Sequence, residues 1–258
     1  MNRTRVAALV GAAVVAAAGC STTTGGDGFG PAYTSVSGLA AQIAHGASQI
    51  KTVQGSLKAT APGLDQTSTF SEHLSGGNVT AIDDKISTTV RGTTTDLHLI
   101  YVDKTLYVDR GQNGRPWVVA TPSSSDQIVA QLAETLPATL SSSGIQYYVV
   151  MVESSRDLKL VGTDTVDGVA STHYHLTMDP RVMVDKLPAD QQQAMQQAID
   201  AGVDTVPVDM WVDAQGRSIK VTDSVTAQGQ TANIDLRMNH FNEEIAIDAP
   251  PANQIEQS

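Results

Sequence analysis

The chain has 258 residues and a formal net charge of −11, because 27 acidic residues outnumber 16 basic ones. A surface of that sign repels phosphate backbones and anionic headgroups within a Debye length, so we expect neither nucleic-acid binding nor electrostatic membrane binding. Cys20 is the only cysteine, so the chain can form no intramolecular disulfide and its fold must depend on an apolar core.

Residues 1–19 have the pattern of an export signal. Arg3 and Arg5 precede an apolar and small-residue run from Val6 to Gly19. As a helix this run would span roughly 21 Å, which is short of the roughly 30 Å hydrocarbon core of a bilayer. The pattern therefore predicts a cleaved signal peptide and not a membrane-spanning helix.

Cys20 follows the small residues Ala17, Ala18 and Gly19. This arrangement resembles a bacterial lipobox, although a large aliphatic residue usually stands where Ala17 is found. We predict that the Cys20 sulfur carries a diacylglyceryl group and anchors the protein to the extracytoplasmic side of the cytoplasmic membrane. Residues 20–34, rich in Thr and Gly, would form a flexible lipidated tether. The alternative is a plain signal peptide with an incidental free thiol.

Residues 35–258 are predicted to form one domain. Apolar residues at helical spacing from Val36 to Ile50 predict a helix, and alternation from Val53 to Ala120 predicts a meander of short antiparallel strands. A capping box at Ser124 opens a helix that is predicted to end at Pro137.

The second half of the chain contains further helical and strand patterns. Residues 144–152 favour a helix over a strand, two strands follow, and two helical pieces separated at Leu187-Pro188 extend from Pro180 to Ala201. Strands are predicted again from Val206 onward, and the last of them covers residues 243–250.

These elements predict an α+β fold built on a strongly curved antiparallel sheet. A sheet of about ten strands should curl, and short helices laid across its mouth would enclose space. An aromatic content of 4% and seven Met residues suit a cavity for long apolar chains. The same composition fits an ordinary packed core equally well.

Three segments, together with Cys20, carry a resemblance to a known family. They are "LIYVDKTLYVDRGQNGRPWVVA", the hairpin "VDMWVDAQGRSIKV" and the terminal "EEIAIDAPPANQI". The chain resembles the mycobacterial LppX, LprA, LprF and LprG lipoproteins. The resemblance implies a half-barrel similar to the carriers LolA and LolB, with helices over its concave face and a hydrophobic pocket. It also implies that acyl chains of complex lipids or lipoglycans are carried from the cytoplasmic membrane toward the outer envelope.

Apolar residues that share strand or helix faces are, as a set, the candidate pocket lining, although residues of this kind are individually more often part of the core. We predict that the lining contains Leu97, Leu99, Tyr101, Ile128, Leu132, Leu136, Tyr148, Met151, Met183, Leu187, Met195 and Ile199.

Polar candidates are few. His173 and His175 should point to one sheet face, where they could share a metal with Asp179 or simply be two surface histidines, and we expect no metal. Asp83 and Asp84 should point to opposite faces and mark a turn. The sequence has no G-x-S-x-G elbow, H-E-x-x-H motif or glycine-rich phosphate loop between a strand and a helix, so we expect neither enzymatic activity nor a cofactor.

Two functions remain open at this point. The first is a membrane-anchored carrier of lipid or glycolipid. The second is an envelope adaptor or surface lipoprotein that acts through protein contacts, for example with a membrane transporter. A chaperone that hands over other lipoproteins would share the fold of the carrier.

Overall fold

The computed structural model describes residues 29–109, 116–142 and 146–256. The predicted signal peptide, Cys20 and the first part of the predicted tether lie outside these ranges. The strands are β1 Thr52–Ala61, β2 Leu64–Ser75, β3 Asn78–Val90, β4 Thr93–Val102, β5 Thr105–Asp109, β6 Val118–Val119, β7 Ser155–Val166, β8 Val169–Met178, β9 Val206–Asp213, β10 Ser218–Ala227 and β11 Gln230–Asn239. The helices are α1 Val36–Ser48, α2 Gln127–Ser142, α3 Gln146–Glu153, α4 Pro180–Val184 and α5 Ala189–Asp200.

All strands belong to one 11-stranded antiparallel sheet, in the order β6-β5-β4-β3-β2-β1-β11-β10-β9-β8-β7. Two meanders meet at its centre, where β1 pairs with β11. The turns between neighbouring strands match the sequence signals: at Asp167-Gly168 both residues have positive φ, as a two-residue hairpin loop requires. The outermost strands β6 and β7 do not pair with each other in the described chain, so the sheet is an open half-barrel. The predicted α+β class is therefore confirmed.

The long helices lie on one face of the sheet, which we call the inner face. Helices α1, α3 and α4 pack with β8 and β9 in the largest apolar cluster, centred on Leu39, Tyr174 and Met210. Helix α2 packs at the other end of the sheet, where Val129 contacts the cluster formed by Leu99 and Val108. Among the described helices, none combines the length and apolar character that a membrane crossing requires.

Helix α2 continues through Pro137 to Ser142, so the predicted end at Pro137 is wrong. Proline inside a helix removes one backbone hydrogen bond. The added turn places Leu140, which is 6% exposed, against Val79 and Ile82 of β3. Burial of that leucine offsets the cost of the proline.

The predicted strand at residues 243–250 is also wrong, because this segment has no regular structure. Its alternation instead seats Ile245 and Ile247 on the outer face, in a cluster with Ile100 and Trp117. The chain is fixed there by two backbone hydrogen bonds of Trp117. Its N–H donates to the Gln254 carbonyl and its carbonyl accepts from the Glu256 N–H, both at 2.7 Å.

Residues 29–34, the last part of the predicted tether, contact the sheet. Gly30 is buried, and a Cβ at this position would lie 2.8 Å from Ala214 Cα. The Tyr33 N–H donates to the Tyr174 hydroxyl at 3.0 Å, and the Tyr33 hydroxyl donates to Gln42 Oε1 at 3.0 Å. Residues 29–34 therefore belong to the folded domain and are not part of a flexible tether.

The terminal segment should contribute to stability through Ile247. Ile247→Ala removes a side chain that is 6% exposed and should lower the free energy of unfolding by about 2 kcal/mol or more. Ile128→Ala is the matched control, because Ile128 is 50% exposed and its loss should change stability by less than about 0.5 kcal/mol. Urea unfolding of both variants measures the difference; equal values would contradict the packing described here.

Candidate functional site

Inner-facing side chains are fully buried where a helix covers the sheet. Tyr174, Leu176 and Val208, under α1 and α3, have an exposed fraction of 0%. Leu106 and Val108, near α2, are 3% and 1% exposed. Each end of the sheet is therefore closed by its own helical layer.

The centre of the inner face is covered less completely. The strand register places Leu57 beside Ser68 and Leu236, in line with Ile86 and Leu97 under α2. Leu57 therefore points inward, as do Ala59 and Ile234, yet all three are only partly buried. The two helical layers leave an apolar trough over β1, β2, β10 and β11.

A cavity of about 230 Å³ opens in this trough, and we call it the central cavity. It lies between the sheet, the chain that follows α1 and Tyr148 of α3. Its lining consists of Ile50, Val53, Leu57, Ser68, Phe70, Glu72, Ile82, Asp84, Tyr148, Leu236, Met238 and Phe241.

Gly55 shapes the floor of the central cavity. A Cβ at this position would lie 2.3 Å from the Phe70 ring and 2.5 Å from the Arg237 carbonyl oxygen. The absence of a side chain lets the Phe70 ring lie directly on the β1 backbone. The cavity therefore depends on a glycine in a strand whose interior would otherwise favour a larger residue.

The polar groups of the central cavity are mainly acceptors. The Ser68 hydroxyl donates to Asp84 Oδ1 at 2.7 Å. Burial raises the pKa of Asp84, the hydrogen bond from Ser68 opposes that shift, and the neighbouring Asp83 adds to it. Glu72 makes no hydrogen bond or ion pair with the described residues. Burial, followed by the Asp84 carboxylate, raises the pKa of Glu72 to about 7.

Further acidic and phenolic groups whose pKa is raised by burial lie on β10 and on α3. Asp223 of β10 points inward in register with Ile234. Burial raises its pKa to about 6, and its buried Oδ1 has no hydrogen-bond partner among the described residues. Burial also raises the pKa of Tyr147 and of Tyr148, assisted by Asp223 at Tyr147 and by Glu72 at Tyr148. Both phenols therefore remain neutral.

The structure distributes the predicted lining residues over several places. Tyr148 lines the central cavity. In the cluster between α2 and the sheet are Leu97, Leu99, Tyr101, Leu132 and Leu136. In the cluster beneath α1 and α3 are Met151, Met183, Leu187 and Met195. Ile128 is 50% exposed, and Ile199 is partly buried on α5. Apart from Tyr148, these residues are not brought to the central cavity, and their contact with lipid stays a prediction.

The cavity acids were missed by the sequence analysis, although the sequence contains a signal for them. Glu72 stands two residues after Phe70, and Asp84 stands between Ile82 and Ile86. Both acids therefore share the phase of inward-facing apolar residues. The pair Asp83-Asp84 does point to opposite faces, but it lies inside β3 and not in a turn: Asp83 Oδ1 accepts from His98 Nε2 at 2.8 Å.

The two histidines of the H-x-H pattern lie on the outer face. His173 Nε2 and His175 Nδ1 both contact Asp209 Oδ1, at 2.8 Å and 3.2 Å. Asp179 is not part of this network: it accepts from Arg156 Nε at 2.8 Å and caps α4. Within the described ranges, no group of three His, Cys, Asp or Glu side chains could hold a metal ion.

Glu72 makes a testable contribution to the pH dependence of stability. Its pKa in the folded chain, about 7, exceeds the ordinary value of 4.5, so the folded state retains this proton more strongly than the unfolded state. The stability that Glu72 provides is complete below pH 4.5 and is lost as the pH rises through about 7.

Glu72→Gln should therefore be more stable than the native chain above pH 7, by about 2 to 3 kcal/mol, and should match it below pH 4.5. Urea unfolding across this pH range measures the difference. Glu134→Gln, at an exposed position of α2, is the control and should follow the native curve. Parallel curves for native and Glu72→Gln proteins would show that Glu72 is solvated.

The sequence of the chain resembles a curated protein over part of its length. No protein-family model matches the chain. Over 143 residues it is 26% identical to an uncharacterized 31.2 kDa protein of Streptomyces griseus, encoded in the rplA-rplJ intergenic region. That alignment covers 54% of this chain and 47% of the relative, so the chain matches about half the length of the curated protein.

Solved structures match a larger share of the chain than this relative does. LprF from Mycobacterium bovis superposes with a TM-score of 0.53 at 13% identity, covering 84% of this chain and 98% of LprF. The Mycobacterium tuberculosis lipoprotein LppX gives a TM-score of 0.40 at 12% identity, covering 83% of this chain and all of LppX (100%). The chain therefore has the open half-barrel fold of LprF, as the resemblance of its sequence segments implied.

Proposed function

We propose that this protein is a membrane-anchored envelope lipoprotein that holds acyl chains of a complex lipid or lipoglycan in its inner trough. It would carry them from the cytoplasmic membrane toward the outer envelope, without enzymatic activity. The observation that carries the proposal is the central cavity, together with the partly exposed apolar residues on both sides of it.

Burial of hydrocarbon supplies the driving force. Each methylene removed from water contributes about 0.8 kcal/mol, so a free acyl chain cannot cross an aqueous compartment without a covering surface. The trough offers such a surface, since Leu57, Ala59 and Ile234 point into it and no helix of the described ranges buries them.

The size of the central cavity limits how a chain could bind. About 230 Å³ is less than the roughly 300 to 1,000 Å³ of sites that enclose a drug-sized ligand. One segment of an acyl chain would therefore occupy the cavity. The remainder would lie along the partly exposed inner residues of β1, β10 and β11, such as Ala59 and Val225.

A binding assay tests the proposal. The full chain carrying Cys20→Ala, which removes the predicted acylation site, should bind a pyrene-labelled long-chain alcohol, and native mass spectrometry should detect lipid that copurifies with it. Leu57→Trp should weaken probe binding about 15- to 60-fold, because the indole displaces two or three methylenes of the guest from the cavity.

Val161→Trp is the matched control for this assay. Val161 lies on the edge strand β7 and is 50% exposed, so the added indole does not reach the trough. An empty protein that does not take up the probe would reject lipid binding and favour the adaptor function. Equal probe binding by the Leu57→Trp variant and the native protein would place the guest outside the central cavity.

The anchor is tested separately. Radiolabelled palmitate supplied to cells that produce the native chain should label the protein, which should sediment with membranes. Cys20→Ala should remain unlabelled. Palmitate labelling of Cys20→Ala would show that this cysteine is not the acylation site.

A further inference from the structure

The central cavity pairs an apolar wall with two carboxyl groups. Glu72 lies opposite Ile82, and Asp84 lies opposite Phe70, on neighbouring strands of the inner face. Such diagonal positions lie roughly 7 to 8 Å apart across an antiparallel pair. One polar group of a guest can therefore reach both carboxyl groups at once.

The described residues give these two carboxyl groups a single side-chain donor. Asp84 receives a hydrogen bond from Ser68, and Glu72 receives none from the described residues. The described lining includes no Lys or Arg. The Arg217 guanidinium lies 4.5 Å from the centre of the Phe241 ring, and it already donates to Asp213 Oδ2 from Nε at 2.7 Å.

A third inward carboxyl group shows the same deficit. Asp223 Oδ1 is buried without a hydrogen-bond partner among the described residues. A carboxyl oxygen that loses water without gaining a donor is costly, whereas a guest that supplies a donor removes that cost. A guest ending in a carboxylate or phosphate would instead bring a further acceptor and a like charge.

We propose that the central cavity selects amphiphiles whose polar group donates hydrogen bonds, an ammonium or a cluster of sugar hydroxyls, over amphiphiles that end in a carboxylate or phosphate. This selectivity rests on the proposed lipid binding and names the class of guest. The apolar lining holds the hydrocarbon, and Glu72 with Asp84 receives the donors.

Competition experiments test this selectivity. The full chain carrying Cys20→Ala is loaded with the pyrene-labelled alcohol, which is displaced by an alkylammonium, an alkyl glycoside, a fatty acid and an alkyl phosphate of equal chain length. The ammonium or the glycoside should displace the probe at a concentration about tenfold lower than either anion, as expected for a hydrogen bond to a charged group.

Two variants of Glu72 separate the two donor sources. Glu72→Gln keeps an acceptor oxygen but loses the charge, so it should weaken an ammonium about tenfold and leave a glycoside nearly unchanged. Glu72→Leu also loses the acceptor and should weaken both. Asp65→Asn is the control, because this substitution removes the same charge from an exposed position of β2. It should leave the order of affinities unchanged.

The control also addresses the net charge of −11, which attracts cations to the whole surface. An equal shift in Asp65→Asn and Glu72→Gln would show that surface charge sets the preference, and would overturn the selectivity. Equal displacement by all four amphiphiles, or preference for an anion, would overturn it too while lipid binding stands. Failure of the probe itself to bind would reject lipid binding and the selectivity together.

Discussion

The inner face of the sheet carries more apolar area than the helices cover, and this mismatch leaves the central cavity open. Helices α1 and α3 bury the inner residues of β8 and β9 completely, and α2 buries those of β4 and β5. Over β1 and β11 no such layer is present in the described chain. An antiparallel sheet can leave one face wet, but here the wet region lies on the apolar face.

The order of the chain explains why the centre is left open. Strands β1 and β11 come from opposite ends of the domain sequence and pair in the middle of the sheet. Helices α2 and α3 are inserted between the edge strands β6 and β7, and α4 and α5 lie between β8 and β9. Short connections keep helices near the strands that they join. Most of the helical cover therefore lies over the edges of the sheet and not over its centre.

Much of this architecture could be predicted from the sequence, because strand alternation and glycine turns are local signals. The helix at α1, the meander from β1 to β6 and the break at Leu187-Pro188 follow from such signals. The continuation of α2 through Pro137 does not, since it depends on the burial of Leu140 against another element. The 243–250 segment also has strand alternation, but Ile245 and Ile247 pack on the outer face of the sheet and the segment forms no strand ladder.

The central cavity was less predictable than the sheet for a related reason. Its walls come from strands far apart in sequence, such as Leu57 and Leu236, which are brought together only by the pairing of β1 with β11. Faces such as Leu97, Leu99 and Tyr101 were visible as apolar stripes, but the sequence does not show which stripe a helix will cover. The local signal that could have been used was an acid in the inward phase of a strand.

Acids in that phase contradict the pattern of an ordinary core, and such contradictions concentrate at functional sites. A leucine at position 72 would fill the cavity wall and remove the cost of an ionised carboxyl group that burial and Asp84 impose near neutral pH. A carrier of hydrocarbon alone would gain stability from that replacement and lose nothing. Glu72 and Asp84 make physical sense together with a guest whose donors relieve their repulsion, because the empty protein then bears a cost that the loaded protein does not. Release of that cost would add to the affinity for such a guest, so the cost of these buried acids and the proposed selectivity would have the same origin.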